Sequence, residues 1–286
     1  MIKWAFNFRS WQPTRSEWIF CGQCIQNEEK ERIQRFVFKK DAKAAMAGRL
    51  LIRKAIAYCL EIPYKEIKLG RTEKGKPYLV NTVQGSLSFN VSHNGDYAVL
   101  AASRNGTIGV DVMKYEVRTS VPKFFHTMRR QFTEPEWSQI RKSTEESEQL
   151  KTFYRLWCLK ESYVKALGVG IGFEVSRLDF TFNTEYLKEY VVTKDTSLKV
   201  DGVHLPEWTF EEHTMDNHCI VVANNQQNST TTDFEEESGR EYEHFKVLQI
   251  NDLLQCASCL CEPDEEFWEK FDPKDEAPQI HRKPSS

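Results

Sequence analysis

FYRLWCLKESYVKALGVGIG, residues 153 to 172, reads as a helix that leaves little of its surface to water. Phe153, Trp157, Val164 and Leu167 recur at helical spacing, and Leu156, Leu159, Tyr163 and Ala166 form a second, overlapping apolar stripe. Gly168 supplies the stop. Glu161 and Lys165 are four apart and so share one face, a turn below Trp157. Charges on a helix that is apolar nearly all round are costly unless they are paired or serve a ligand. On the helix alone, an ordinary Glu/Lys pair at the edge of the stripe is an equal reading. Gly168, Gly170 and Gly172 follow a helix instead of opening one after a strand, which excludes a dinucleotide-binding loop.

Thr107 to Met113, TIGVDVM, alternates as a strand does: Ile108, Val110 and Val112 face one side, Gly109, Asp111 and Met113 the other. Asp111 is a carboxylate in an apolar strand. With Glu161 it makes a candidate pair of hard oxygen ligands, the kind Mg²⁺ uses when substrate phosphates fill its other positions. Gly-Val-Asp111-Val-Met, followed by Trp157-Cys-Leu-Lys160-Glu161-Ser-Tyr-Val-Lys165-Ala, resembles the two signature motifs of the Sfp-type 4′-phosphopantetheinyl transferases. The resemblance extends through DAKAAMAGRLLIRK, RTEKGKP and FNVSHNGDYAVLA and covers residues 1 to about 222.

The resemblance implies an α+β fold of two similar subdomains related by a pseudo-twofold, each a helix packed on an antiparallel sheet, with coenzyme A between them. The subdomains are expected at 1–115 and 116–223, followed by a largely disordered polar and acidic tail, 224–286, in which 245–254 could dock back as a strand or short helix. The implied activity is that of a holo-acyl-carrier-protein synthase: Mg²⁺-dependent transfer of 4′-phosphopantetheine from coenzyme A to a carrier-protein serine, releasing adenosine 3′,5′-bisphosphate. Asp111 and Glu161 would hold Mg²⁺ or Mn²⁺, and Asp111, Glu161 and Lys165 would be catalytic. Contacts to coenzyme A are implied at Arg32, Arg71, Thr72, Glu73, Lys74, Gly75, Lys76, Asn90, Val91, Ser92, His93, Glu161 and Lys165. Implied partners are apo carrier domains of fatty-acid synthase, of a mitochondrial carrier and of an aminoadipate-semialdehyde dehydrogenase type, met by a cytosolic monomer. Many bacterial relatives carry Asp-x-Glu where this chain has Asp111-Val-Met113, and a thioether is a poor partner for a hard cation. The rival reading is a coenzyme A or nucleotide-binding regulatory module without turnover.

Composition bounds these readings. Of 286 residues, 40% are hydrophobic and 12% aromatic, enough for a substantial core. No run approaches the ~20 apolar residues of a membrane span. The net charge of −3 is polarised: residues 1–76 carry 17 Lys+Arg against 8 Asp+Glu. Such a segment attracts polyanions. No nucleic-acid fold signature accompanies it, and a small polyphosphate would be drawn in equally well; with the family resemblance, no nucleic-acid partner is expected. Cys21-x-x-Cys24 and Cys256-x-x-Cys259 have zinc-ligand spacing, yet free thiols are the reading preferred.

Along the chain, helices are expected after an N-cap at Asn27 and after a cap at Asp41; Arg49 and Arg53 on the second read as a solvated face. Tyr64–Leu69 reads as a strand leading to the basic loop 70–77, whose freed amides and cations could cradle phosphates. Asn94-Gly95 marks a hairpin between 87–91 and 97–102. Two helices follow, 121–128 and 132–140, the latter with a capping box from Thr133 to Glu136. Strands are expected at 176–182, 190–193, 197–200, 208–212 and 218–223. Residues 263–286 lack an apolar pattern in this reading and are expected to be dispensable for the chemistry.

Overall fold

The computed structural model describes residues 1–81, 87–225 and 244–278. In chain order the elements are β1 (Ile2–Asn7), α1 (Arg15–Gln23), α2 (Asn27–Gln34), α3 (Lys39–Leu60), β2 (Leu69–Arg71), β3 (Pro77–Leu79), β4 (Ser88–Asn94), β5 (Tyr97–Ser103) and β6 (Thr107–Lys114). There follow α4 (Val121–Met128), α5 (Glu134–Ile140), α6 (Glu146–Leu167), β7 (Leu178–Thr181), β8 (Ser197–Val200), β9 (Val203–His204), β10 (Trp208–Met215), β11 (His218–Asn225), β12 (Lys246–Leu248), α7 (Ile250–Leu254) and α8 (Glu265–Glu269).

Each half sets one 22-residue helix on an antiparallel sheet, α3 against β1-β5-β4 and α6 against β10-β11-β6, which is the expected α+β fold. The apolar side chains on opposite faces of these sheets explain the layering. Alternate residues of β5 (Tyr97, Val99, Ala101) and of β6 (Ile108, Val110, Val112) form one core that joins the two sheets, and each helix closes a separate core on the far side. β6 pairs with β11 in register Asp111↔Val221 and so belongs to the sheet of the second half. The structural seam therefore falls before β6, not at the expected residue 115.

A polar alternation on β4 stitches the sheets together. The Ser88 hydroxyl accepts from Ile108 N–H, Asn90 Oδ1 from Val110 N–H and Asn94 Oδ1 from Lys114 N–H, at 3.0–3.1 Å. Side chains stand in for a backbone ladder. Asn90, expected to touch coenzyme A, spends its carboxamide oxygen on this seam, although the residue still borders the cleft described below.

Gly109 makes the helix of the second half possible. A Cβ there would lie 2.1 Å from the Ser162 carbonyl oxygen and 2.4 Å from Ala166 N, so α6 rests directly on the strand backbone. Only this close approach brings Glu161 and Lys165 to the Asp111 face. Gly109→Ala is expected to destabilise the protein by about 2–3 kcal/mol through overpacking against backbone that cannot yield. Chemical denaturation of the variant measures it; a loss under about 0.5 kcal/mol would contradict the contact.

Several expectations are corrected. α2 opens at Asn27 itself, with Gln26 at the cap position, and ends at Gln34; α3 opens at Lys39, two residues before Asp41, which lies in its first turn. Arg49 and Arg53 are buried, not a solvated face: Arg53 donates to the Ile67 and Tyr64 carbonyls and stacks 4.5 Å over the Tyr64 ring. Tyr64–Glu66 is a 3₁₀ turn, and the strand starts at Leu69. Of 190–193 only Thr193 bridges to a strand, opposite Glu212. Leu167, expected on the apolar stripe, is exposed, and Trp157 is half-buried because the helix turns it towards a cleft. The capping box at Thr133 and Glu136 forms, and Glu136 is also the counter-ion, at 2.8 Å, of the fully buried Lys160.

The acidic tail differs most. Residues 226–243, most of the expected polar linker, lie outside those described, but the expectation of disorder from Glu262 onward fails for 262–278. β12 pairs parallel with β1, α7 packs on α3, and the chain continues along the first half. Leu260 N–H bonds to the Gln23 carbonyl, and Phe267 and Phe271 stack on the buried Trp18 with ring centroids 5.3 and 3.8 Å away.

Candidate active site

Where the two halves meet, a cleft of about 630 Å³ opens between α2, α3, the β2–β3 hairpin, β4 and α6. Asp111 lies just behind its wall, buried, at the centre of a small polar cluster. Its Oδ1 accepts from the Ser92 hydroxyl at 2.9 Å and from Lys165 Nζ at 2.5 Å, and Lys165 also donates to Ser92 Oγ at 2.6 Å. Asp111 Oδ2 is buried and has no hydrogen-bond partner. An unpartnered buried carboxylate oxygen is costly unless something else is meant to meet it.

Glu161 and Lys165 both line the cleft, one turn apart on α6. Burial raises the Glu161 carboxyl above its ordinary value and the neighbouring Asp111 charge raises it further, against the opposing pull of Lys165. Its folded-state pKa exceeds the unfolded one, so the stability it contributes is full below the ordinary carboxylate range and is lost as pH rises through the folded value. At neutral pH the charged carboxylate therefore costs stability. Glu161→Gln is expected to melt above the unaltered protein at pH 7.5 in metal-free buffer, with the difference shrinking as pH falls towards ~4. Thermal scans across that range test the sign, and a lower melting temperature at pH 7.5 would reverse it.

The basic loop reaches across the cleft instead of standing open. Lys76 Nζ donates to the Lys165 and Ala166 carbonyls at 3.0 and 3.2 Å, and Lys74 Nζ to the Val169 carbonyl at 2.5 Å, so both cations sit on the C-terminal end of α6. Gly168 and Gly170, at φ of 69°, shape that end. Lys74, Gly75 and Lys76 border the cleft, as do Val91 and His93, whereas Thr72 and Glu73 face solvent. Desolvation by the cleft walls lowers the His93 pKa, and the cations Lys165, Arg32 and Arg49 lower it further, against Asp41.

Arg32, Arg49 and Arg71 converge on the opposite side, around Glu29. Arg32 and Arg71 were among the expected contacts to coenzyme A, whereas Glu29 was not and Arg49 was read as solvated. The signal for Arg49 was present, since its neighbours Leu50, Ile52 and Ala45 are apolar and buried. Met113 shares the Asp111 face, as expected, but packs half-buried against the core of the second half.

Residues 9–105 match the family described as 4'-phosphopantetheinyl transferase, N-terminal, and residues 107–223 the 4'-phosphopantetheinyl transferase superfamily. L-aminoadipate-semialdehyde dehydrogenase-phosphopantetheinyl transferases of Mus musculus and Homo sapiens are each 44% identical, over 94% of this chain and 90% of theirs. This chain belongs to the phosphopantetheinyl transferase family. The Xenopus laevis protein of the same name is 41% identical over 99% of this chain and 95% of its own, and a phosphopantetheinyl transferase of Thraustochytrium is 39% identical over 77% of each. As a phosphopantetheinyl transferase, the protein moves phosphopantetheine onto carrier proteins. No helix among the described residues is long and apolar enough to cross a membrane.

The donor set bears on a metal. Among the described residues no group of three or more His, Cys, Asp or Glu side chains could hold one. The unpartnered Asp111 Oδ2 and the Glu161 carboxylate offer two hard oxygens, which fits Mg²⁺ completed by substrate oxygens and water and does not fit a metal caged by protein alone.

Proposed function

We propose that the transferase is a Mg²⁺-dependent holo-acyl-carrier-protein synthase that uses coenzyme A and releases adenosine 3′,5′-bisphosphate. The observation that carries this reading is Asp111 Oδ2, buried and unpartnered beside Glu161 and Lys165 at the wall of a cleft whose other side is arginine-rich. Asp111 and Glu161 would hold the ion, Mg²⁺ or Mn²⁺, which when bound neutralises charge on the pyrophosphate. Glu161, which lines the cleft beside Asp111 and Lys165, is suited to take the proton of the carrier serine directly or through a water. The serine oxygen then forms its bond to the phosphorus next to pantetheine, and the bond to the bridging oxygen breaks. Lys165, held by Ser92 and Asp111, faces the charge that builds on the phosphoryl oxygens. Ser92 positions Lys165 and Asp111 together. The arginines, the loop 71–76 and His93 bind the nucleotide end.

The enzyme proposed is a cytosolic monomer whose carriers are fatty-acid synthase, a mitochondrial carrier protein and an aminoadipate-semialdehyde dehydrogenase. Transfer from radiolabelled coenzyme A to an apo domain of each, titrated with Mg²⁺, tests the reading. Label in all three and none after chelation is expected; label in the dehydrogenase domain alone would restrict the enzyme to that partner.

A further inference from the structure

Glu29 is a carboxylate where an anion-binding wall would seem to forbid one. It sits on α2, 8% exposed, with Arg71 Nε and Nη2 each donating to it at 2.8 Å, Arg49 Nη1 3.5 Å away and Arg32 Nη1 3.8 Å away. Burial works to raise its carboxyl, and the hydrogen bonds and charges of Arg71, Arg49 and Arg32 outweigh that and hold it below the ordinary value. All three arginines line the cleft; Glu29 itself does not.

Arg49 shows that the group is unfinished. Its side chain is 7% exposed, yet Nη1 makes no hydrogen bond, since the approach to Glu29 lacks the geometry for one. A buried guanidinium N–H without a partner costs free energy, and burial has pushed the Arg49 pKa down to about 10. Arg71 is spent differently. Glu29 takes one edge of its fork and the Gly75 carbonyl takes Nη1 at 2.9 Å, so the guanidinium is fixed in plane and the phosphate loop is fixed with it.

We propose that Glu29 is a positioning residue that assembles Arg32, Arg49 and Arg71 into a preformed clamp for an anionic group of the co-substrate, and that Arg49 is a direct ligand in that clamp. This rests on coenzyme A being the co-substrate. Three guanidiniums brought together without a counter-ion would repel one another and spread. With Glu29 among them the cluster carries a net charge of about +2, the match for one phosphate monoester. The carboxylate gives up one unit of attraction for the anion in exchange for geometry fixed before binding.

The test is calorimetric titration of coenzyme A and, separately, of inorganic pyrophosphate into the full-length protein and its Glu29→Ala, Glu29→Gln and Arg49→Met variants, with steady-state kinetics alongside. Positioning predicts that Kd and KM for coenzyme A rise roughly tenfold in Glu29→Ala and Arg49→Met and less in Glu29→Gln, while KM for the carrier domain stays within twofold. If attraction mattered more than position, removing the negative charge would tighten binding of both anions, and that result would overturn the proposal. Unchanged coenzyme A affinity in Glu29→Gln, which keeps the volume and one acceptor and so serves should the alanine variant unfold, would overturn it too. Pyrophosphate separates the two claims: a wild-type protein that binds pyrophosphate in a Glu29-dependent way but not coenzyme A keeps the clamp and loses the function, and one that binds neither loses both.

Discussion

Asp111→Asn is expected to lower the rate of phosphopantetheine transfer by about a thousandfold at saturating coenzyme A and carrier. The substitution keeps an acceptor for the Ser92 hydroxyl and for Lys165, so the local hydrogen bonds survive. It removes the negative charge of the buried pair and turns the unpartnered Oδ2 position into either an amide donor or a weaker acceptor. A bound metal supplies several kcal/mol of charge stabilisation in a transition state, and about 4 kcal/mol is a thousandfold in rate. Folding should be little affected, because Asp111 neither fills the core nor pairs with a fully buried cation: Lys165 keeps 29% of its side-chain surface. Single-turnover rates across a Mg²⁺ series, with melting temperatures for control, measure both. Near-normal turnover at limiting Mg²⁺ would remove Asp111 from the metal site, and a collapse in stability would reassign it to structure.

The second large effect concerns the C-terminal segment. A chain ending at Pro263 is expected to lose at least about 5 kcal/mol of stability, because it uncovers Trp18 by removing both rings stacked on it; each buried Phe is typically worth about 3–5 kcal/mol. Gly22 on α1 leaves the space that Phe267 occupies, since a Cβ there would lie 2.7 Å from the ring. The same segment ties down the arginine wall. Lys274 Nζ donates to the Gln34 and Phe36 carbonyls at the end of α2, and the Asp275 and Glu276 carbonyls accept from Lys39 and Lys40 N–H at the start of α3. A fall in melting temperature of about 10 °C or more is expected for the truncation, and a comparable fall for Phe267→Ala with Phe271→Ala. A truncated protein that melts normally would show these contacts to be incidental.

The tail also shows where sequence reading ran out. Phe267, Trp268 and Phe271 lie at helical spacing, but eight acidic residues between 262 and 276 read as solvation and hid a stripe of three rings. Composition averaged over a segment loses a pattern one turn long. Asp111, Glu161 and Lys165 were legible for the opposite reason: each is a charge in an otherwise apolar strand or helix, and period alone puts Glu161 and Lys165 on one face of α6. Arg32 came from motif order alone, and Arg71 from motif order together with the basic, glycine-rich loop that carries it. Glu29 and Arg49 could not be placed as a pair, because what makes them matter is contact between α2 and α3, and nothing in either helix encodes the partner. The seam at 88–94 is an intermediate case. Ser88, Asn90, Ser92 and Asn94 alternate visibly, yet only the position of β6 shows that three of these side chains replace a ladder and the fourth reaches Asp111.

The central claim is that the cleft between the halves transfers phosphopantetheine and does not merely bind coenzyme A. Intact-mass spectrometry of an apo carrier domain incubated with the full-length protein, coenzyme A and Mg²⁺, followed by peptide mapping, tests it most directly. A gain of one phosphopantetheine per carrier, located on a single serine, is expected, with one equivalent of adenosine 3′,5′-bisphosphate released. An unmodified carrier in the presence of a protein shown by titration to bind coenzyme A would contradict it and leave a binding module without turnover.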